Sequence, residues 1–206
     1  MSDARLAVFV SGSGTNMENI ARVIESGKLK GCRIQLVLSD QRDAYALKRA
    51  EQLKLKTMVI ERGEFQNKLE FEAAITQVLQ REKIHFIVLA GFMRVLSPEF
   101  VKTFRGRILN IHPSLLPRFK GAKAIQDAYE SRESKTGVTV HFVDEGVDTG
   151  PIILQREVNI LPDETLSSLE ARIHAVEYEL YPEAIQCLVD GRLELKGKRV
   201  RIRSLD

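Results

Sequence analysis

Short, unbroken apolar runs, each closed by glycine or a polar turn and followed by an amphipathic stretch, leave this chain few possible folds. Arg5–Val10 (RLAVFV), Ile34–Ser39, Thr57–Ile60 and Phe86–Ala90 (FIVLA) are such runs. A short apolar run without alternation reads as a strand covered on both faces, as in a parallel sheet. Between the runs the apolar spacing is helical: Met17, Ile20, Val23 and Ile24, then Ala44–Gln52, then Phe65–Arg81 with Phe65, Leu69, Ala73 and Val78 on one face. Repeated strand–helix alternation predicts an α/β fold with a doubly wound, mostly parallel, Rossmann-like sheet. Ligands of such sheets sit outside the carboxyl ends of the strands.

The pattern then changes. Ser97-Pro98 opens a short helix, with serine as the cap and proline in the first turn. Ile108–His112 alternates apolar and polar residues, and Pro113 and Pro117 forbid its continuation as a central strand or a helix. A helix is predicted over Ala122–Ser131. Strands at Thr136–Val143 and Ile152–Val158 form an antiparallel pair around an acidic loop. A long helix starts at Asp163-Glu164-Thr165 and runs to Asp190, with Pro182 expected to kink it. The terminal LELKGKRVRIR reads as a hairpin turning at Gly197.

At 206 residues, 44% of them hydrophobic, the chain has enough apolar surface for one sizeable core, and a single domain over 1–206 is expected. Its net charge of +3 suits an anionic small substrate. Aromatic residues are only 6% and the Lys and Arg are scattered, so no nucleic-acid footprint is read. The basic cluster Lys196–Arg203 reads as a solvated face. Cys32 and Cys187 lack metal or redox spacing and read as buried thiols of a cytoplasmic protein. No signal peptide is seen, and no apolar run approaches the roughly 18 residues that would suggest a membrane span. His, Cys and carboxylates do not cluster at ligand spacing, so no metal is expected.

Three strand exits carry chemistry. The first strand ends in Ser11-Gly12-Ser13-Gly14-Thr15-Asn16, and a helix follows. Strand, glycine loop and helix N-terminus make a cradle for a phosphomonoester. Met17 occupies the third glycine's place in the dinucleotide fingerprint, and no lysine follows as in a Walker loop. The second exit is Gly91-Phe92-Met93-Arg94-Val95-Leu96; the third is Asn110-Ile111-His112. Downstream, the loop with Asp144, Glu145 and Asp148 supplies a carboxylate for an active imidazole. His85 reads as a surface residue at a strand entry and His141 as a packing or hydrogen-bonding residue. His174 lies three residues before Glu177, on the same helix face.

GSGTN, AGFMRVLSPEFV, NIHPSLLP, GVTVHFVDEGVDTGPII and the ExxxYP helix closely resemble the phosphoribosylglycinamide formyltransferases, within the wider family of 10-formyltetrahydrofolate-dependent transferases and hydrolases. The resemblance runs from the first strand to about Gly191. It implies transfer of a formyl group from 10-formyltetrahydrofolate, a co-substrate, to the amine of 5-phosphoribosylglycinamide, in purine biosynthesis. It further implies a catalytic Asn110, His112 and Asp148, and a phosphate site of Ser13, Gly14, Thr15 and Asn16. Glu177 falls at the ribose-binding position. Lys68, Met93, Arg94, Val95 and Leu96, together with Val143, Asp144, Glu145, Gly146 and Val147, fall at folate-binding positions. On this reading 1–100 is a phosphate-binding half and 101–206 a catalytic and folate-binding half. The implied partners are small-molecule substrates, with the protein a monomer or homodimer. Lys68 stands where some relatives carry arginine, which keeps charge but loses the bidentate fork. Phe119-Lys120-Gly121-Ala122-Lys123 departs from the Tyr-Pro-Gly common in the family and is closer to formyl hydrolases and methionyl-tRNA formyltransferases. Pro113 after His112 favours a transferase. A non-catalytic binding module would have no need of Asn110, His112 and Asp148 together.

Overall fold

A computed structural model describes residues 3–204. Its main sheet has seven strands in the spatial order β3 (Thr57–Val59), β2 (Cys32–Ser39), β1 (Ala4–Val10), β4 (Phe86–Leu89), β5 (Ile108–His112), β6 (Lys135–Phe142) and β7 (Ile152–Asn159), and β8 (Leu193–Lys196) and β9 (Arg199–Ile202) form a separate two-stranded sheet. The chain forms two compact units, Met1–Leu109 and Asn110–Asp206.

In the first unit, β1 (Ala4–Val10) pairs in parallel with β2 (Cys32–Ser39) on one side and with β4 (Phe86–Leu89) on the other. β2 pairs in parallel with the short β3 (Thr57–Val59). Leu6–Val10 are all 0% exposed, which explains why β1 reads as a continuous apolar run. The chain winds outward from β1 through β2 and β3, then returns to place β4 on the other flank of β1. The exits of β1 and β4 therefore flank the point where strand order reverses, the crevice in which doubly wound sheets bind ligands.

Helix α1 (Thr15–Glu25) begins directly after Gly14, whose φ of 75° is left-handed. That glycine also packs against α2 (Tyr45–Gln52): a Cβ at Gly14 would lie 2.4 Å from the Ala46 Cβ. Helix α3 (Lys68–Arg81) starts later than the apolar spacing suggests. The Asn67 side chain accepts the Glu70 N–H at 3.0 Å and caps the helix there, while Arg62–Glu64 forms a separate 3-10 turn. Phe65 is left outside α3 and packs edge-on against Phe71, 5.9 Å away. Helix α4 (Pro98–Thr103) is capped as expected, Ser97 Oγ accepting the Phe100 N–H at 3.1 Å. His85 is more than a surface entry residue, because its Nδ1 accepts the Arg5 N–H at 2.8 Å where β1 begins.

Strand β5 (Ile108–His112) ends in the second unit. There β6 (Lys135–Phe142) and β7 (Ile152–Asn159) pair antiparallel, and the register slips between Val140 and His141. Such an irregularity re-aims a side chain, and here it falls on His141. Gly150 is compulsory, since a Cβ would lie 1.8 Å from the Phe142 carbonyl. Helix α5 (Ala124–Glu130) is followed by the long α6 (Leu166–Val189), whose cap Thr165 accepts the Ser168 N–H at 3.2 Å. Leu169, Ile173, Leu180, Tyr181 and Ile185 bury its inner face, and Pro182 lies within it. β8 (Leu193–Lys196) and β9 (Arg199–Ile202) turn through Gly197, at φ 62°.

Gly14→Ala should destabilise the protein by about 2 kcal/mol or more, combining a strained left-handed alanine with overpacking against Ala46. Equilibrium denaturation checks this; a change within about 0.5 kcal/mol would show that the approach of Ala46 is not a constraint.

Candidate active site

The second unit gathers Asn110, His112, His141 and Asp148 around one carboxylate. His112, 4% exposed, places Nδ1 3.4 Å from Asp148 Oδ2. Its Nε2 donates to the Phe119 carbonyl at 2.7 Å, so that nitrogen carries a proton. Asn110 Nδ2 lies 3.5 Å from Asp148 Oδ1 and 3.2 Å from His141 Nε2. His141 Nδ1 donates to the Phe142 carbonyl at 2.8 Å. When neutral, its Nε2 is therefore an acceptor for Asn110, and when charged it faces Asp148 Oδ1 at 3.7 Å. The Gly121 N–H completes the shell by donating to Asp148 Oδ2 at 2.9 Å. Asp148 adopts φ 50°, a turn conformation that Asp tolerates and β-branched residues do not.

The segment after His112 is clamped on both sides. Thr139 Oγ1 donates to the Ser114 carbonyl at 2.6 Å and accepts the Leu116 N–H at 3.1 Å. Gln155 Nε2 donates to the Leu116 carbonyl at 3.1 Å, and the Leu116–Pro117 bond is cis. Ser114 Oγ lies 2.7 Å from the Arg118 carbonyl and 3.1 Å from the Phe119 carbonyl. The carbonyl that accepts from His112 is thus itself anchored.

Burial is the largest single influence on Asp148 and opposes its ionisation. The bonds from His141 and Gly121 and the charges of His112 and His141 outweigh it, holding the carboxyl at about 2. Asp148 is a carboxylate at any working pH.

In the first unit, Ser13, Gly14, Thr15 and Asn16 form the turn into α1, where the first backbone N–H groups have no helical acceptor. Ala46 N–H donates to the Gly12 carbonyl at 3.0 Å, so α2 holds the loop from one side. The β4 exit packs beside it: Ser11 N–H reaches the Gly91 carbonyl at 3.1 Å, and Ser11 Oγ accepts the Met93 N–H at 2.9 Å. Asp40, 2% exposed, accepts from Ser11 Oγ at 2.5 Å and from Arg94 Nε at 2.6 Å. Arg94 is therefore tied to Asp40. Of its loop, Met93 (68% exposed) and Val95 (58%) stand in solvent, while Leu96 is buried. The far end of the loop is fixed by Glu72 Oε1, which accepts the Ser97 N–H at 2.7 Å. Lys68 is the first residue of α3 and is half-buried.

Elsewhere in the second unit, Asp144 Oδ1 accepts from Gly146 N–H at 3.1 Å and Thr149 Oγ1 at 2.6 Å, so its carboxylate staples the loop. Val143 is half-buried, and Glu145, Gly146 and Val147 are exposed. Glu177, 4% exposed, lies 2.9 Å from His174 Nδ1 through Oε2; that bond raises the His174 pKa against the opposing effect of burial. Sequence reasoning misses Asp40, His141 and the Gly121 N–H as site groups. Asp40 had a signal, a polar residue closing an apolar strand as His112 does. A backbone N–H has none.

The fold is thus a doubly wound sheet, and its second unit sets an amide and two imidazoles around one carboxylate. The chain belongs to the formyl transferase family, whose amino-terminal domain matches residues 4–185. A phosphoribosylglycinamide formyltransferase from Haemophilus influenzae is 44% identical over 192 residues, 93% of this chain and 90% of that protein. The human trifunctional purine biosynthetic protein adenosine-3 is 40% identical over 93% of this chain, which spans 19% of that longer protein. The crystal structure of glycinamide ribonucleotide transformylase 1 from Symbiobacterium toebii superposes with a TM-score of 0.94 at 41% identity, covering 98% of this chain and 95% of that one.

Because the folded pKa of Asp148 lies below its ordinary 3.8, its ionisation contributes stability that is complete above pH about 4 and lost as pH falls through about 2. An NMR titration of the Asp148 carboxyl carbon should give a midpoint near 2. A midpoint at the ordinary value would mean that the surrounding donors do not favour the carboxylate.

Proposed function

We propose that this protein transfers the formyl group of 10-formyltetrahydrofolate to the amine of 5-phosphoribosylglycinamide, giving formylglycinamide ribotide and tetrahydrofolate. The observation that carries the reading is the convergence of Asn110, His112 and Asp148 on one carboxylate-centred cluster. The names of the relatives agree with it.

The neutral amine attacks the formyl carbon. Its oxygen becomes an oxyanion, the carbon–N10 bond then breaks, and a proton passes from the amine nitrogen to N10. Asn110 Nδ2 and His112 Nε2 are the donors for that oxygen. His112 Nε2 donates to the Phe119 carbonyl in the structure, so it reaches substrate by exchanging that carbonyl for the formyl oxygen. Ser114 Oγ, 3.1 Å from the same carbonyl, is placed to replace it. Asp148 stabilises a charged His112 and assists the proton's passage. His141, through Asn110 and Asp148, is a positioning residue. The loop Ser13–Asn16 binds the phosphate, Glu177 the ribose hydroxyls, and Met93–Leu96 with Val143–Val147 the folate. Because Arg94 is held by Asp40 and Asp144 by its own turn, these loops serve the folate through backbone and apolar groups more than through those two charges. Lys68 serves the folate's anionic tail.

Both units, 1–206, act as one formyltransferase domain on this reading, the first for phosphate and the second for chemistry. No helix among the described residues is long and apolar enough to cross a membrane, and the reading takes the protein as a cytoplasmic enzyme, monomer or homodimer, acting on small substrates. Incubation with 10-formyltetrahydrofolate, followed by folate absorbance, should show turnover only when the ribotide is added. Equal loss of the formyl group without the acceptor would assign the chain to hydrolysis instead.

A further inference from the structure

The loop read as a phosphate cradle carries an acid where an anion would dock. Glu18 lies in the first turn of α1 and is 19% exposed at its side chain. A carboxylate there favours the helix dipole but repels a phosphate at the same helix end. Two arginines meet it. Arg22 Nη2 bonds Glu18 Oε1 at 2.6 Å from the same helix, and Arg49 Nη1, from α2, pairs with Glu18 Oε2. The hydrogen bond from Arg22 contributes most to holding Glu18 below the usual carboxylate range; burial opposes it and Arg49 adds to it. Glu18 and Arg22 alone cancel, so Arg49 leaves the loop with one net positive charge. Arg49 is also the less exposed arginine, 27% against 65%, and is less screened by solvent.

Arg49 does a second thing. Its Nε donates to the Ser13 carbonyl at 2.9 Å, while the guanidinium lies 4.9 Å from the centre of the Tyr45 ring. A trans peptide is planar, with C=O and N–H pointing in opposite directions. Turning the Ser13 carbonyl towards Arg49 therefore aims the Gly14 N–H away from it and fixes one of the loop's donors. We infer that Arg49 is a positioning residue that makes the Ser13–Asn16 loop selective for a phosphorylated acceptor, by orienting the Ser13–Gly14 peptide and by adding a net positive charge to the balanced Glu18–Arg22 pair.

The inference rests on the phosphate reading of the loop, and the two fail in different ways. The test compares 5-phosphoribosylglycinamide with the same riboside lacking its phosphate, in the wild type, Arg49→Met, Arg49→Lys and the Arg49→Met/Glu18→Gln pair. In the wild type kcat/KM should strongly favour the phosphorylated acceptor; no preference would overturn the phosphate reading itself. Arg49→Met should reduce that preference by on the order of tenfold or more, through KM for the ribotide, with riboside kcat/KM unchanged. Adding Glu18→Gln should restore several-fold of it. Arg49→Lys, which keeps charge but not the Nε contact, should fall between. An unchanged preference in Arg49→Met and Arg49→Lys, or equal losses on both acceptors, would overturn the role of Arg49 and leave the phosphate reading standing. If Arg49→Met does not fold, Arg49→Lys separates the same outcomes at smaller amplitude.

Discussion

The candidate site of the second unit is arranged around one half-buried carboxylate. Asp148 faces Asn110, His112, His141 and the Gly121 N–H. Taking a carboxylate out of water costs several kcal/mol unless donors replace the lost hydration. Here they come from a strand end, the register slip in β6 and a glycine turn. The requirement runs in both directions. The donors keep Asp148 ionised, and the ionised carboxylate gives Asn110 and the two imidazoles a common orientation, which is what a developing charge in a transition state needs.

Backbone approach plays the corresponding part in the first unit. Gly14 is left-handed and lies under Ala46, and the loop it starts is held by contacts from α2 and from the β4 exit. The loop is tied through its backbone: the Ser13 carbonyl accepts from Arg49 Nε, the Gly12 carbonyl accepts the Ala46 N–H, and the Ser11 N–H donates to the Gly91 carbonyl. The polar ties Asp40–Ser11 and Glu72–Ser97 do the same for the loop after β4, so its exposed Met93 and Val95 stand on a fixed base.

Much of this was legible in the residues. The apolar runs gave the parallel strands because a strand covered on both faces leaves no polar alternation. Ser97-Pro98 marked the start of α4, because a cap and a proline act locally. Asn110 and His112 stand out as polar residues at a strand exit, while the choice of Asp148 among Asp144, Glu145 and Asp148 in the acidic loop comes from the family resemblance. What escaped was non-local. Helix α3 started late because Asn67 and Glu70 cap it, although Phe65 fitted the apolar spacing. His141 reads as a packing or hydrogen-bonding residue, and it does hydrogen-bond; that its partners are Asn110 and Asp148 depends on the register slip in β6. The Gly121 N–H, the Phe119 carbonyl and the Ser13 carbonyl are backbone groups whose partners lie many residues away, and no side-chain pattern announces them. Arg94 and Asp144, which the resemblance puts at folate-binding positions, are engaged within their own units, which sequence spacing does not reveal.

On the proposed mechanism the negative charge of Asp148 orients the cluster and assists the proton transfer. Asp148→Asn retains size and the turn preference of the site and removes the charge. Turnover of 10-formyltetrahydrofolate with the ribotide should fall by about 10²–10⁴, the range for a positioned acid–base group, while ribotide and folate-analogue affinities change far less. A folded Asp148→Asn protein with wild-type turnover would contradict it.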